Sequence, residues 1–272
     1  MVFRTLIAPA TTGGVGVAFT DREGALPTAA PADLAREAGC WVPGRREHLG
    51  APRWGALGLR AVVGVDQVHG SDVLVVDQPL LDHPPAAFPQ ADAVVTTLRG
   101  VGLVVRTADC LPVALADPDA GVVGVAHAGR RGLDLGVLTR TVETMRGLGA
   151  GRLRAWVGPG ICGHCYEVDA PMAADYTARH PLAASTTRWG TPALDLTRVA
   201  VAELEASGVS VEVLPGCTRE DNDLFSYRCD GAAAGRQAVV AWLGQTPEPG
   251  TGQASGERVS GGDVAGVPGG SG

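Results

Sequence analysis

The chain has 272 residues, 45% of them hydrophobic, which is enough to bury a substantial core in one large domain or two small ones. Its 22 basic and 29 acidic residues leave a net charge of −7 with no basic block, which argues against a nucleic-acid partner or an anionic membrane surface. Every basic residue is arginine, so a lysine Schiff base, a lysine nucleophile and a Walker-type phosphate lysine are all excluded.

Taken in chain order, Met1 to Thr20 lacks the basic-then-apolar pattern and small-residue cleavage site of a secretory signal. Gly13-Gly14-Val15-Gly16 falls short of a dinucleotide fingerprint and is not followed by a helical pattern. The stretch from Pro27 to Pro52 carries Pro, Gly and the charged run Arg45-Arg46-Glu47, and reads as a short helix within loops. Short β-branched runs follow at Ala61–Val65, Asp72–Val76, Ala93–Thr97, Gly102–Arg106, Val113–Ala116, Val122–Ala126 and Arg154–Gly158, bounded by turn residues in the manner of strands. Leu135, Leu138, Val142, Met145 and Leu148 recur at helical spacing and predict a helix over Asp134–Leu148. Further helices are expected at Leu196–Ala206 and Gly235–Leu243. Apolar runs are broken by charge before about 18 residues, so no membrane span is expected. The last segment, Gly244 to Gly272, holds ten glycines and almost no large apolar groups, the composition of a disordered tail.

These elements predict an α/β protein of the α+β type: one domain over 1–243 with a central mixed sheet flanked by helices, then the tail over 244–272. Six irregularly spaced cysteines do not form a disulfide framework, which fits a reduced, cytoplasmic protein.

Three segments each put a metal-type ligand at a strand end beside a glycine-bearing or proline-bearing loop. They are Gln67-Val68-His69-Gly70, Thr107-Ala108-Asp109-Cys110-Leu111-Pro112 and His127-Ala128-Gly129-Arg130-Arg131-Gly132. Two imidazoles and a thiolate make a three-ligand tetrahedral zinc site with a fourth position open to water. Such a metal keeps Cys110 deprotonated and lowers the pKa of bound water. Asp109, next to the thiolate, suits an outer-shell role or that of proton acceptor. The intervals between the ligands match no zinc-finger pattern, so spacing alone leaves open that these are unrelated core or surface residues.

Asp66-Gln67-Val68-His69-Gly70, Ala108-Asp109-Cys110-Leu111-Pro112 and His127 through Gly132 resemble the three central motifs of the YfiH-like family. That family was long labelled multicopper polyphenol oxidase or laccase domain and is now described as purine nucleoside phosphorylases. Gly158-Pro159-Gly160-Ile161 through Cys165-Tyr166-Glu167-Val168, and Phe225-Ser226-Tyr227-Arg228 with Asp230-Gly231, agree in the same order, so the likeness covers about residues 61 to 243. Three departures stand out. Arg130 replaces a tryptophan, Cys229 replaces an arginine, and an N-terminal Ser-Leu-Asn-Leu stretch is missing between Gly14 and Arg60.

The resemblance implies a catalytic zinc on His69, Cys110 and His127. It also implies phosphorolysis of adenosine, inosine and methylthioadenosine, with an accompanying adenosine deaminase activity. Without lysine, an arginine must hold the phosphate, and Arg131 is the residue assigned to it. Rival readings are a copper-dependent polyphenol oxidase, a hydrolase built on Cys110 with His127, and a divergent paralogue without activity. Six histidines are too few for several copper centres, so zinc is favoured over copper. Cys162-Gly163-His164-Cys165 reads as a loop, not a redox dithiol at a helix start, and a second zinc there lacks a second cysteine pair. Cys40, Cys217 and Cys229 are expected to be structural or incidental, and His48, His83 and His180 solvated. Purine nucleosides and phosphate are the expected partners; nothing in the sequence points to a protein partner.

Overall fold

The computed structural model describes residues 3–7, 14–22, 57, 59–83, 85 and 87–244. The helix expected within 27–52 and the tail expected over 244–272, from 245 onward, lie outside them. The described residues form a mixed α/β fold of two sheets, a short hairpin and flanking helices. In the five-stranded sheet, β1 (Phe3–Ile7), β2 (Val15–Thr20), β13 (Gln237–Leu243) and β6 (Val101–Thr107) run antiparallel, and β3 (Ala61–Val63) lies parallel to β6 at the edge. The six-stranded sheet has the order β12 (Ser210–Val213), β9 (Arg154–Val157), β7 (Leu111–Asp117), β8 (Val122–Ala128), β5 (Ala93–Thr96) and β4 (Val73–Val76). Its outer pairs are parallel and its inner ones antiparallel. Ala184–Thr186 and Pro192–Leu194 pair as the hairpin β10–β11. A short helix, α1 (Gln78–Asp82), follows β4 and is capped by the Asp77 carboxylate.

Side chains alternate across each strand, and in the central strands both faces are covered. Leu111, Val113 and Leu115 of β7 join one core with α2 (Arg130–Asp134), α3 (Val137–Gly147), α4 (Ala170–Arg179) and α5 (Leu196–Ala206). Ala114 and Ala116 of the same strand face the other way. They enter a second core shared with Leu103, Val105, Val239 and Ala241 of the five-stranded sheet. The outer face of that sheet carries a smaller cluster around Val62, Val104, Val240 and Trp242. The layers are therefore helices, six-stranded sheet and five-stranded sheet. Each large side chain fully buried in these layers contributes roughly 1.5–3 kcal/mol.

The expected strands from Ala61 to Gly158 all form, with ends shifted by up to two residues, and the helix at Leu196–Ala206 forms with those bounds. Two expectations are corrected. The helix predicted over 134–148 forms as α3 but starts at Val137, because Gly136 takes a left-handed φ of 75° and separates it from the preceding α2. The segment 235–243 is not a helix but holds the strand β13, whose seven residues are all buried between β2 and β6. A short apolar run rich in valine suits a strand covered on both faces better than a single helical stripe.

Asp117, buried at the end of β7, ties the β7–β8 turn to the approach of β9. Its Oδ1 accepts from the Asp119 and Ala120 N–H groups and its Oδ2 from those of Gly151 and Arg152. Burial raises its pKa, but the four N–H donors outweigh this and hold it below the ordinary carboxylate value. Asp117→Asn should cost about 2–4 kcal/mol in urea unfolding near neutral pH. A folded pKa below the unfolded one means this stability is present above the ordinary carboxylate pKa and is lost as pH falls through the folded value. The gap between wild type and variant should therefore close in acid.

Candidate metal centre

Two of the three expected ligands lie where the chain passes from one sheet to the other. His69 is on the crossover from β3 to β4, and Cys110 is on the crossover from β6 to β7. His127 sits near the end of β8, paired with Pro112 of β7. The structure brings all three together, with one ligand atom from each lying within 4.8 Å of the others. His69 Nε2 is 3.8 Å from Cys110 Sγ, and the two imidazoles meet edge to face at 4.7 Å between centroids. Among the described residues, His69 and Asp109 are the two non-glycine residues with positive φ, at 57° and 90°. Backbone held in that region costs energy and persists where surrounding contacts over-determine it.

Asp92 supplies much of that constraint, and sequence reasoning missed it. This fully buried carboxylate precedes β5, and its Oδ1 lies 2.7 Å from His127 Nδ1. The same carboxylate accepts from the backbone N–H groups of Val68, His69 and Gly70, at 3.2, 3.0 and 2.6 Å. One side chain thus orients the His127 ring and fixes the loop carrying His69. With Nδ1–H given to Asp92, Nε2 is the His127 atom left for a metal. Gly129 completes the approach, since a Cβ there would lie 2.9 Å from Cys110 Sγ and 3.1 Å from His69 Cδ2.

The electrostatics favour a thiolate. Burial alone would raise the Cys110 pKa, but the charge and hydrogen bond of His127, with those of His69, bring it down to about 6. Burial likewise opposes a charged His127, and the Cys110 thiolate and Asp92 carboxylate outweigh it, raising its pKa to about 9.

Cys110 and the two histidines line a cleft of about 630 Å³, together with Tyr166, Tyr227, Arg106, Arg228 and Arg236. Asp109 lines it too, but both its oxygens are engaged: Oδ1 accepts from the Thr218 hydroxyl and Oδ2 from the Arg228 N–H, each at 2.7 Å. That arrangement favours positioning over proton acceptance. Arg131 is exposed on the short helix α2 and is not among the residues lining the cleft. Arg228 is among them, a residue visible in the fifth motif to which sequence reasoning gives no role. Arg130 lines an adjoining recess with Tyr166, Glu167 and Arg228. His180 is corrected: it is half-buried, bonded to Asp134 and stacked near Tyr176, whereas His83 is exposed as expected. Cys40 and His48 lie outside the described residues. Cys162 to Cys165 is a turn, as expected, and Cys217 is buried against it, in keeping with the structural half of its expectation.

The fold and site together define a class: a mixed α/β protein with a two-histidine, one-cysteine cluster able to hold a metal at the seam of two sheets. Residues 47–244 match the family model described as multi-copper polyphenol oxidoreductase laccase, and the chain belongs to that family. It is 47% identical over 251 residues to a purine nucleoside phosphorylase of Streptomyces griseus, covering 89% of this chain and 100% of that one. A purine nucleoside phosphorylase of Streptomyces coelicolor is 46% identical over 242 residues, covering 86% and 97%. Among solved structures, a Neisseria meningitidis protein, NMB0706, superposes with a TM-score of 0.69 at 31% identity, covering 89% of this chain and 99% of that one. Bacillus licheniformis YfiH gives 0.69 at 26% identity, with coverage of 88% and 96%.

Asp92→Ala should weaken metal binding about 10–100-fold, read by competition with a chromophoric chelator. In metal-free protein, alkylation of Cys110 should rise with pH through a midpoint near 6, the pKa that its imidazole neighbours impose. A midpoint in the ordinary thiol range of about 8.5 would contradict this electrostatic picture.

Proposed function

We propose that the chain is a metal-dependent purine nucleoside phosphorylase that acts on adenosine, inosine and methylthioadenosine and also deaminates adenosine. We assign zinc as its metal and the cytoplasm as its compartment. The observation that carries this reading is the placement of a two-nitrogen, one-sulfur donor set in a cleft walled by tyrosines and arginines. The names of its Streptomyces relatives support it.

The donor set fits zinc, which accepts imidazole and thiolate together and leaves a position open with three protein ligands. Multicopper chemistry needs several histidine-rich centres. Among the described residues, the metal-type cluster containing histidine has just His69 and His127. The described free cysteines accord with a reducing compartment.

When bound, the metal supplies Lewis acidity and activation of water for deamination. The remaining work falls to the chain. His69, Cys110 and His127 hold the metal, and Asp92 orients the histidines. Tyr166 and Tyr227 offer aromatic faces to a purine. Arg228 is suited to phosphate, because its guanidinium is a fork of donors at the cleft wall. It is kept there by its Nη1 bond to the Glu167 carbonyl and its position 5.2 Å from the Tyr166 ring centroid. Asp109 positions the Arg228 backbone. Holding phosphate and nucleoside together converts their reaction into an effectively intramolecular one.

Cys110, His127 and Asp92 also have the order of a nucleophile, base and orienting carboxylate, which favours a cysteine hydrolase as the second reading. Incubation with adenosine and phosphate should release adenine and ribose 1-phosphate, with inosine as the deamination product. Chelation should abolish both reactions and zinc restore them. Activity that survives full metal removal would favour the hydrolase instead, and no phosphorolysis by the zinc-loaded protein would defeat the main reading. Arg228→Ala should raise the phosphate KM about tenfold or more, whereas Arg131→Ala should leave it within about twofold. The reverse pattern would return the phosphate site to α2.

A further inference from the structure

A second group of ligand-type side chains lies on the adjoining loops, outside the cleft lining. Cys162, Cys165, Cys217 and Glu220 each place one ligand atom within 4.8 Å of the others. Cys165 and Cys217 are buried, while Cys162 and Glu220 border solvent. The four come from two tight turns of the same spacing. In the first, the N–H groups of Cys165 and Tyr166 bond to the Cys162 carbonyl, both at 2.9 Å. In the second, those of Glu220 and Asp221 bond to the Cys217 carbonyl at 3.0 and 2.9 Å. Each turn therefore presents ligands three residues apart, with a carboxylate standing where a second cysteine pair would have its last thiol.

The turns are docked by backbone. Gly160 and Cys217 form a β-bridge, and the Thr218 N–H donates to the Gly160 carbonyl at 3.0 Å. The Cys162 N–H points at Cys217 Sγ, 3.3 Å away. Cys165 Sγ lies 2.7 Å from Glu220 Oε1, and Cys162 Sγ is 3.9 Å from the same oxygen.

We propose that Cys162, Cys165, Cys217 and Glu220 form a second, structural site for a zinc-class divalent metal. Three thiolates and one carboxylate complete a tetrahedral set with no open position, the closed form expected of a structural site. Such a set leaves a net negative charge around a divalent ion. Arg188 offsets part of it through its ion pair with Glu220, and Arg219 lies alongside, with its Nη1 3.5 Å from the Cys165 carbonyl. Thiolates are the ligand form of cysteine, so loading must release the thiol protons. A simple disulfide would join two of the sulfurs and leave the third, with Glu220, unused.

The site has a mechanical consequence. Thr218, adjacent to Cys217, donates to Asp109 Oδ1, and Asp109 precedes Cys110. The Ile161 N–H, one residue before Cys162, donates to the Asp109 carbonyl at 2.8 Å. The first turn thus grips the backbone, and the second the side chain, of the residue that precedes the thiolate ligand of the first centre.

The test is cobalt loading of the reduced, full-length chain after chelator treatment, followed by metal analysis and absorption spectroscopy. The wild type should take up two cobalt ions per chain, with thiolate-to-cobalt absorption from four cysteines. Cys165→Ala should bind one ion and keep about a quarter of that absorption, because Cys110 alone remains. His127→Ala should weaken the first centre and keep the three-thiolate signal of the second. Glu220→Gln, at an exposed position, tests the carboxylate with little risk to folding and should weaken the second ion's binding about 10-fold or more. One ion per chain in the wild type, unchanged by Cys165→Ala and Glu220→Gln, would overturn the proposal. This readout is independent of phosphorolysis, so it separates failure of the second site from failure of the proposed activity.

Discussion

The site depends on one buried carboxylate. Asp92 is fully enclosed, an environment that penalises a charged group by several kcal/mol unless donors replace the lost water. It gains three backbone N–H groups from residues 68–70 and the His127 ring. Burial raises its pKa, and these donors outweigh that and lower it overall. Because Asp92 immediately precedes β5, and Ala93 pairs with Ala126 of β8, the sheet register places it beside His127. The loop carrying His69 is then cast around the carboxylate. Geometry at His69 and His127 is in this way inherited from strand pairing, which a rigid sheet holds more closely than a free loop can.

The two-sheet arrangement explains why the ligands converge although they are far apart in sequence. Passing from β3 to β4 and from β6 to β7, the chain leaves the five-stranded sheet and enters the six-stranded one. Both passages occur at the end of the seam between the sheets, beside the end of β8. Val123 and Val125 of β8 face the inter-sheet core, and alternation puts His127 on that side. The positive φ values of His69 and Asp109 follow from the sharp redirection required there.

Much of this is legible in the sequence, for identifiable reasons. The helix at Leu196–Ala206 has an apolar stripe and an Asp195 cap, and both signals are local. The strand β13 reads as a helix because Ala238, Val240 and Trp242 serve one core while Val239 and Ala241 serve another, so no alternation survives in the letters. Asp92 escapes notice because Gln90-Ala91-Asp92 looks like an ordinary turn, and its partners come from residues 68–70 and 127. Arg131 and Arg228 both sit in recognised motifs, and only folding shows which of them reaches the cleft. Cys217 has no cysteine three residues on, and only folding brings it and Glu220 beside Cys162 and Cys165.

Asp109 connects these features. Its backbone carbonyl holds Ile161, its carboxylate holds Thr218 and the Arg228 N–H, and its neighbour is Cys110. Gly160 leaves room for this, since a Cβ there would lie 2.8 Å from the Asp109 carbonyl oxygen. The loops that carry the three-cysteine cluster and the arginine at the cleft wall therefore meet at a single residue beside Cys110. A shift in any one of them must be taken up by the others, since the packed strands on either side leave little slack. The distant C-terminal motif, with Tyr227 and Arg228, is thus held in register with the His69–Cys110–His127 cluster by Asp109, so the cleft wall and the cluster are set by the same backbone.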